Sequence, residues 1–282
     1  MSNLLYQLDR STPWLVGLSA ASILLALNLM GCDGSARESN DAESSSETET
    51  PINTLTEEER AAGWQLLFDG ESFDGWRGVG RDSIPEGHWT IEDGTLHKIP
   101  SGDVPRADDG QPLEGGDIMT IETFENFELS WEWKTTDEGN SGIKYNVSEE
   151  VSASSGSPHG AIGFEYQMLD DDGHPAADRE AKNTTGGLYD LISARPLDEK
   201  NLKPVGEWNH SRIILEGNHG EHWLNGQKQV EYELGTSQFD SLVAASKFAD
   251  IEGFADKRAG HIVIQDHTTP VWIRNIKIRE LE

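Results

Sequence analysis

The chain has 282 residues, with 22 Lys or Arg against 51 Asp or Glu, a formal net charge of −29 at pH 7. A field of that sign repels phosphate backbones and argues against nucleic acid as a partner. Hydrophobic residues at 35% and 29 glycines suit a turn-rich protein with a real core, and the single Cys leaves no intramolecular disulfide.

The chain opens with an address. Residues 14–30 read WLVGLSAASILLALNLM, uncharged, with Arg10 before them. That run is slightly short for a spanning helix and suits the apolar part of a signal peptide. It ends Leu29-Met30-Gly31-Cys32, which resembles a bacterial lipobox, and Cys32 is the only thiol of the chain. The expectation is a signal peptide over 1–31, lipidation at Cys32 and a domain exported to the cell envelope, periplasmic or surface-exposed. Residues 32–62 are rich in Ser, Thr and Glu with almost no large apolar side chains. They read as a solvated tether that cannot bury enough surface to order itself.

From Gly63 the texture changes to short alternating runs broken by Gly, Asp, Asn and Pro. WQLLF, HWTIEDGTLHK, FELSWEWK, SGIKYNV, GFEYQML, SRIILEG, EHWLNGQKQVEY, HIVIQ and VWIRNIKIREL read as strands. Asp93-Gly94 and Asn225-Gly226 are hairpin turns, because both dipeptides accept the positive φ that matches strand twist. The best helical candidate spans 237–246. The last strand, 271–281, is expected beside the first. Many strands, few helices and about 220 residues predict one all-β domain over 63–282, a two-sheet jelly-roll sandwich. No Gly-rich fingerprint precedes a helix, so no nucleotide cofactor is expected.

Strand alternation sorts the side chains that can do chemistry. In GFEYQML, Phe164, Tyr166 and Met168 face the core, while Glu165 and Gln167 share the other face. The loop that follows holds Asp170, Asp171, Asp172 and His174. In SGIKYNV, Ile143, Tyr145 and Val147 share one face, with Lys144 and Asn146 on the other. Lys144 is either a tuned base or oxyanion partner, or an edge-strand gatekeeper. Gln265 and His267 alternate onto one face of HIVIQDH, where a His beside oxygen ligands is able to hold one divalent metal, although no metal-ligand spacing such as HExxH is present. His219 and His222 read as strand or turn residues. Of the nine Trp, one or two are expected at a sugar groove and the rest in the core. The strand of Glu165 lacks the E-x-D-x-x-E carboxylates of laminarinase-type sandwiches, since Gln167 stands where the middle Asp would be. Two-carboxylate glycoside hydrolysis is therefore poorly supported.

Taken together and in order, GWQLLFDGESFDGWRG, GDIMTIETFENFELSWEWK, GNSGIKYNV, GFEYQMLDDDGHP, GGLYDLI and GHIVIQDHTTPVWIRNIKIREL resemble the 3-keto-disaccharide hydrolase family, also called 3-ketoglucoside lyase/hydratase. The resemblance spans 63–282 and implies a concanavalin- or laminarinase-like jelly roll, often on an exported lipoprotein. Where many members carry Arg, this chain has Lys144-Tyr145. It implies action on a small sugar already oxidised at C3, supplied by an upstream glycoside 3-dehydrogenase. A base takes the acidified C2 proton, the C1 substituent is eliminated, and water adds. On this reading Glu165 or His174 is the base and Tyr189 the acid. Lys144, Gln167 and His267 contact sugar or enolate, Asp170 and Gln265 complete the site, and a divalent metal is a candidate stabiliser. The alternative is a non-catalytic carbohydrate-binding module on the same fold.

Overall fold

The computed structural model describes residues 51–100, 115–156, 160–175, 182–267 and 269–282. The apolar run 14–30, Cys32 and the acidic segment up to residue 50 lie outside the described residues. Among the described residues thirteen strands follow one another. They are β1 (Gln65–Leu66), β2 (Trp76–Gly78), β3 (Trp89–Glu92), β4 (Thr95–Lys98), β5 (Ile118–Thr120), β6 (Phe127–Thr135), β7 (Asn140–Val147), β8 (Phe164–Leu169), β9 (Asn209–Glu216), β10 (His219–Leu224), β11 (Gln227–Glu233), β12 (His261–Ile264) and β13 (Val271–Glu280). Three short helices accompany them: α1 (Glu57–Ala61), α2 (Glu149–Ser154) and α3 (Ser237–Ala244). Only α3 was legible in the sequence. No helix among the described residues is long and apolar enough to cross a membrane.

All pairings are antiparallel, in two sheets. The eight-stranded sheet runs β11-β10-β9-β6-β13-β4-β3, with β1 on β13. The five-stranded sheet runs β2-β5-β12-β7-β8. The jelly-roll sandwich expected from strand number and spacing is the fold observed. Both turn dipeptides close their hairpins as read, with φ of 49° and 71° at Asp93-Gly94 and 46° and 80° at Asn225-Gly226. The last strand meets the first through Gln65↔Ile278.

The core lies between the sheets. Leu129, Trp131 and Trp133 of β6 meet Ile143 and Tyr145 of β7 and Phe164, Tyr166 and Met168 of β8. Burying side chains of this size is the main favourable term in such a sandwich. Two asparagines with positive φ reset the alternation. Asn275 (φ 53°) sits in a register shift of β13, so Ile276 and Ile278 face inward as Val271 and Ile273 do. Asn146 (φ 57°) does the opposite in β7. Val147 therefore leaves the main core and joins Val79, Met119, Ala161 and Val263 in a separate cluster. The expectation that Val147 shares a face with Ile143 and Tyr145 fails because this bulge breaks the period of two.

The residues before Gly63 also differ from the tether expected over 32–62. From 51 onward they pack on the domain. Asn53 is buried, and its backbone N–H donates to Asn275 Oδ1 at 2.6 Å while Asn275 N–H donates to Asn53 Oδ1 at 2.8 Å. Thr56 and Glu59 form a capping box on α1, and Lys277 pairs with Glu59. Paired amides and a cap substitute here for apolar burial, which is why composition alone misreads the segment.

Candidate active site

The outer face of the five-stranded sheet is not an ordinary wet sheet face. Every residue of β8 is buried. A segment from Gly186 to Tyr189 runs along its free edge: Gly186 N–H donates to Gln167 O at 2.9 Å, and Tyr189 N–H to Glu165 O at 3.0 Å. That pairing carries the Tyr189 side chain to the Glu165 face. His222 of β10 supports the segment from the core. Its Nδ1–H donates to Gly186 O (3.1 Å) and its Nε2 accepts from Tyr145 O–H (2.7 Å), so Tyr145 in turn accepts from Tyr232. Burial pushes the His222 imidazole down to about 4, which keeps it neutral in that relay.

A pocket of about 100 Å³ opens on this face. It is lined by Asn140, Glu165, Gln167, Leu169, His174, Asn183, Tyr189, Lys247, Gln265 and His267. Six residues singled out from sequence converge here: Glu165, His174, Tyr189, Gln167, Gln265 and His267. They come from β8, the loop after it, the edge segment and the end of β12.

The Asn140-Ser141-Gly142 run explains how the wall is built. Asn140 Oδ1 accepts from Gln167 Nε2 at 3.0 Å, which turns the Gln167 carbonyl oxygen away from Asn140. Ser141 Oγ donates to Gln265 O at 2.9 Å, and Gln265 N–H donates to Gly142 O at 2.9 Å. A Cβ on Gly142 would stand 2.7 Å from Glu165 Oε1, so only glycine leaves room for that carboxylate. The amide oxygens of Gln167, Gln265 and Asn183 are buried and accept no hydrogen bond among the described residues. Buried acceptors without donors are costly and call for a ligand rich in O–H or N–H groups.

Glu165 is 7% exposed. Among the described residues none donates a hydrogen bond to its carboxylate, and burial raises its carboxyl above the usual range, offset in part by Lys144 and Lys247. His174 is shifted the other way, toward the neutral form, again by burial. The His174 and His267 rings meet edge to face at 6.3 Å. Lys247, absent from the sequence reading, stands at the rim with its Nζ 4.2 Å from the centre of the Tyr189 ring. No spacing signal could have found it, because it enters from the loop after α3.

Two expected site residues do other work. Lys144 does not line the pocket. It stands beside Glu165, its cross-strand partner, and its Nζ donates to Asp117 Oδ2 at 2.9 Å. Asp170 is spent on the loop: its carboxylate accepts from the backbone N–H of Glu138 (2.9 Å) and Gly173 (3.1 Å). Asp171 likewise accepts from Thr185 N–H and Lys200. The acid-rich loop is a scaffold that presents His174. No Trp lines the pocket. Trp208, Trp223 and Trp272 are half-buried under cationic side chains, with Arg274 4.0 Å from the Trp208 ring centre and Arg212 5.0 Å from that of Trp223.

A metal finds no ready set of ligands among the described residues. The one trio whose ligand atoms lie within 4.8 Å of one another is His219, Glu221 and Glu231, on the β10–β11 hairpin. Lys228 already sits there, with its Nζ 2.7 Å from Glu221 and 2.6 Å from Glu231. Asp266 does not line the pocket, and its buried carboxylate is held by His88 Nδ1 (2.5 Å) and Lys98 Nζ (2.8 Å), so it does not serve a metal beside His267.

Residues 63–279 match the family model of the 3-keto-alpha-glucoside-1,2-lyase-like domain. A curated relative, the 3-keto-disaccharide hydrolase of Bacteroides thetaiotaomicron, is 35% identical, covering 93% of this chain and 96% of its own. Two crystal structures of Parabacteroides distasonis proteins assigned as glycosyl hydrolases are also similar. One has a TM-score of 0.67 at 28% identity, covering 82% of this chain and 100% of the other. The second has a TM-score of 0.57 at 25% identity, covering 77% and 99%.

Proposed function

The chain belongs to the 3-keto-alpha-glucoside-1,2-lyase-like family and is a carbohydrate-active enzyme, and on that premise we propose that it cleaves 3-keto-disaccharides by elimination and hydration. The observation that carries this reading is the pairing of Glu165 with its surroundings. A buried carboxylate that accepts no hydrogen bond among the described residues faces the same small pocket as three amide oxygens that lack donors among those residues. Sugar hydroxyls supply such donors, and a carboxylate held above its usual range is a stronger base.

In the proposed reaction a C3 ketone acidifies the C2 proton. Glu165 takes that proton, and the C–H electrons form an enolate on O3. The enolate collapses to the ketone and a C1=C2 double bond, while the C1–O bond breaks and the leaving oxygen takes a proton from Tyr189. Water then adds its oxygen at C1, Glu165 returns its proton to C2, and the acid regains one from the water. The balance is one water consumed and two sugars released. Gln167, Asn183 and Gln265 orient the ring through its hydroxyls. No carboxylate pair is needed, in keeping with Gln167 at the position of a second acid. No step is routed through a metal.

A pure binding module would not need a desolvated carboxylate without a partner, and this disfavours the alternative. The reading includes export and a lipid anchor at Cys32, in the periplasm or on the cell surface, and a glycoside 3-dehydrogenase that supplies the ketone. Mass spectrometry of the protein from its native envelope tests the anchor, since an unmodified Cys32 contradicts it. The activity is tested by incubating the protein with a 3-keto-disaccharide and with the parent disaccharide, with and without chelator, and following products by NMR. Free sugar from the keto form alone is the expected result. Cleavage of the parent sugar, or of neither, overturns it.

A further inference from the structure

We infer that Asp117 is a positioning residue for this site: one of its oxygens sets the charge balance beside Glu165 through Lys144, and the other fixes the chain after β12 that carries Gln265 and His267. The inference rests on the proposed role of Glu165 as base. Asp117 carries no sequence signal, lying in GGDIMT just before β5, yet it is 3% exposed and bonds to two residues that adjoin the pocket lining, Lys144 and Asp266. Its Oδ2 accepts from Lys144 Nζ at 2.9 Å, and its Oδ1 accepts from Asp266 N–H at 2.8 Å. Lys144 pairs across the β7–β8 ladder with Glu165, and Asp266 stands between Gln265 and His267. Gly116 makes the approach feasible, since a Cβ there would collide with the Asp266 carboxylate and the His88 ring.

The groups that act on Glu165 come from three directions. Lys144 of β7 and Lys247 of the loop after α3 favour its charged form, and Asp117 opposes them. Tyr189, His174 and His267 share its pocket. Asp266 has its own cations in His88 and Lys98. Lys144 alone beside Glu165 would hold it ionised but weakly basic. With Asp117 in place the pair is neutral, and the carboxylate keeps the higher basicity that proton abstraction from carbon requires.

The test uses the full chain. Asp117→Asn keeps the shape and the acceptor for Asp266 N–H but removes the charge. The acidic limb of kcat/KM on a 3-keto-disaccharide, recorded from about pH 4 to 9, reports ionisation of the base. In D117N that limb moves to lower pH by about one unit, because Lys144 is no longer compensated. In Lys144→Met it moves to higher pH, and the double variant D117N/K144M returns toward the wild type. A purely structural role lowers activity and Tm in both single variants without displacing the limb. An unmoved limb in D117N, or displacement of both variants in the same direction, overturns the inference. If D117N does not fold, K144M against the double variant carries the same comparison. If the wild type cleaves nothing, the proposed function fails. The inference is then still read from a carboxyl NMR titration of Glu165, assigned with Glu165→Gln, in wild type and D117N.

Discussion

Two cavities flank the chain just after β8, and they teach opposite lessons. The larger, about 540 Å³, is lined by Trp133, Asp170, Asp171, Lys200, Lys203 and Glu207 among others. Its buried charges are satisfied: Lys200 Nζ donates to Asp171 at 2.7 Å and to Thr184 Oγ1 at 2.8 Å, and Asp170 is bound by backbone amides. The smaller, about 100 Å³, has the Glu165 carboxylate and three amide oxygens that accept no hydrogen bond among the described residues. Volume follows from how loops meet at the end of a sandwich. Unmet hydrogen-bonding capacity is costly in a folded protein and persists where a ligand meets it.

The sharpest test of that contrast exchanges the two defects. Lys200→Met leaves Asp171 charged and buried without its counter-ion, which should cost about 3–5 kcal/mol and lower Tm by roughly 10 °C while leaving kcat/KM of the folded protein close to the wild type. Glu165→Gln should do the reverse, lowering kcat by about 10²–10⁴-fold. It should also stabilise the fold at neutral pH. The raised Glu165 carboxyl contributes stability that is present below its unfolded value and lost as pH rises through its folded value, so the Tm gain of E165Q grows from acidic to neutral pH. Equal losses of activity in K200M and E165Q would erase the distinction between the cavities.

The next effect concerns the wall behind the small pocket. His222 falls to about 4 by burial, so the fold favours its neutral form. Its contribution is complete above about pH 6.5 and is lost as pH drops toward 4, on the order of 3 kcal/mol. His222→Gln should flatten that part of the stability–pH curve in denaturant titrations, and an unchanged curve counts against the relay. Smaller still, Gln265→Leu removes one acceptor and should raise KM by about 5–12-fold, corresponding to a lost hydrogen bond of about 1–1.5 kcal/mol. Smallest is Arg274→Ala on the outer face of the eight-stranded sheet. Arg274 Nε donates to Glu132 at 2.7 Å, but both side chains are about a quarter exposed, and such pairs contribute about 0–1 kcal/mol. A large loss there would mean that the cation on Trp208 matters more than its exposure suggests.

What could be read from the chain alone was whatever depends on neighbours in sequence. Alternation placed Phe164, Tyr166 and Met168 inward and set Glu165 beside Gln167. The Asp-Gly and Asn-Gly dipeptides marked their hairpins, because positive φ is a local property. The ordered motifs pointed to the family, and with it to six of the residues that line the pocket. Tertiary structure decided the rest. Which of several polar groups is free for a ligand depends on partners far away in sequence: Asp170 is spent on Glu138, Lys144 on Asp117, and Gln167 is turned by Asn140. Asp117 and Lys247 reach the site from segments without a motif. Asn146 moves Val147 to the other face through a single left-handed residue. A period of two describes a strand only while its backbone stays extended, and a side chain's chemistry is settled by what is packed against it.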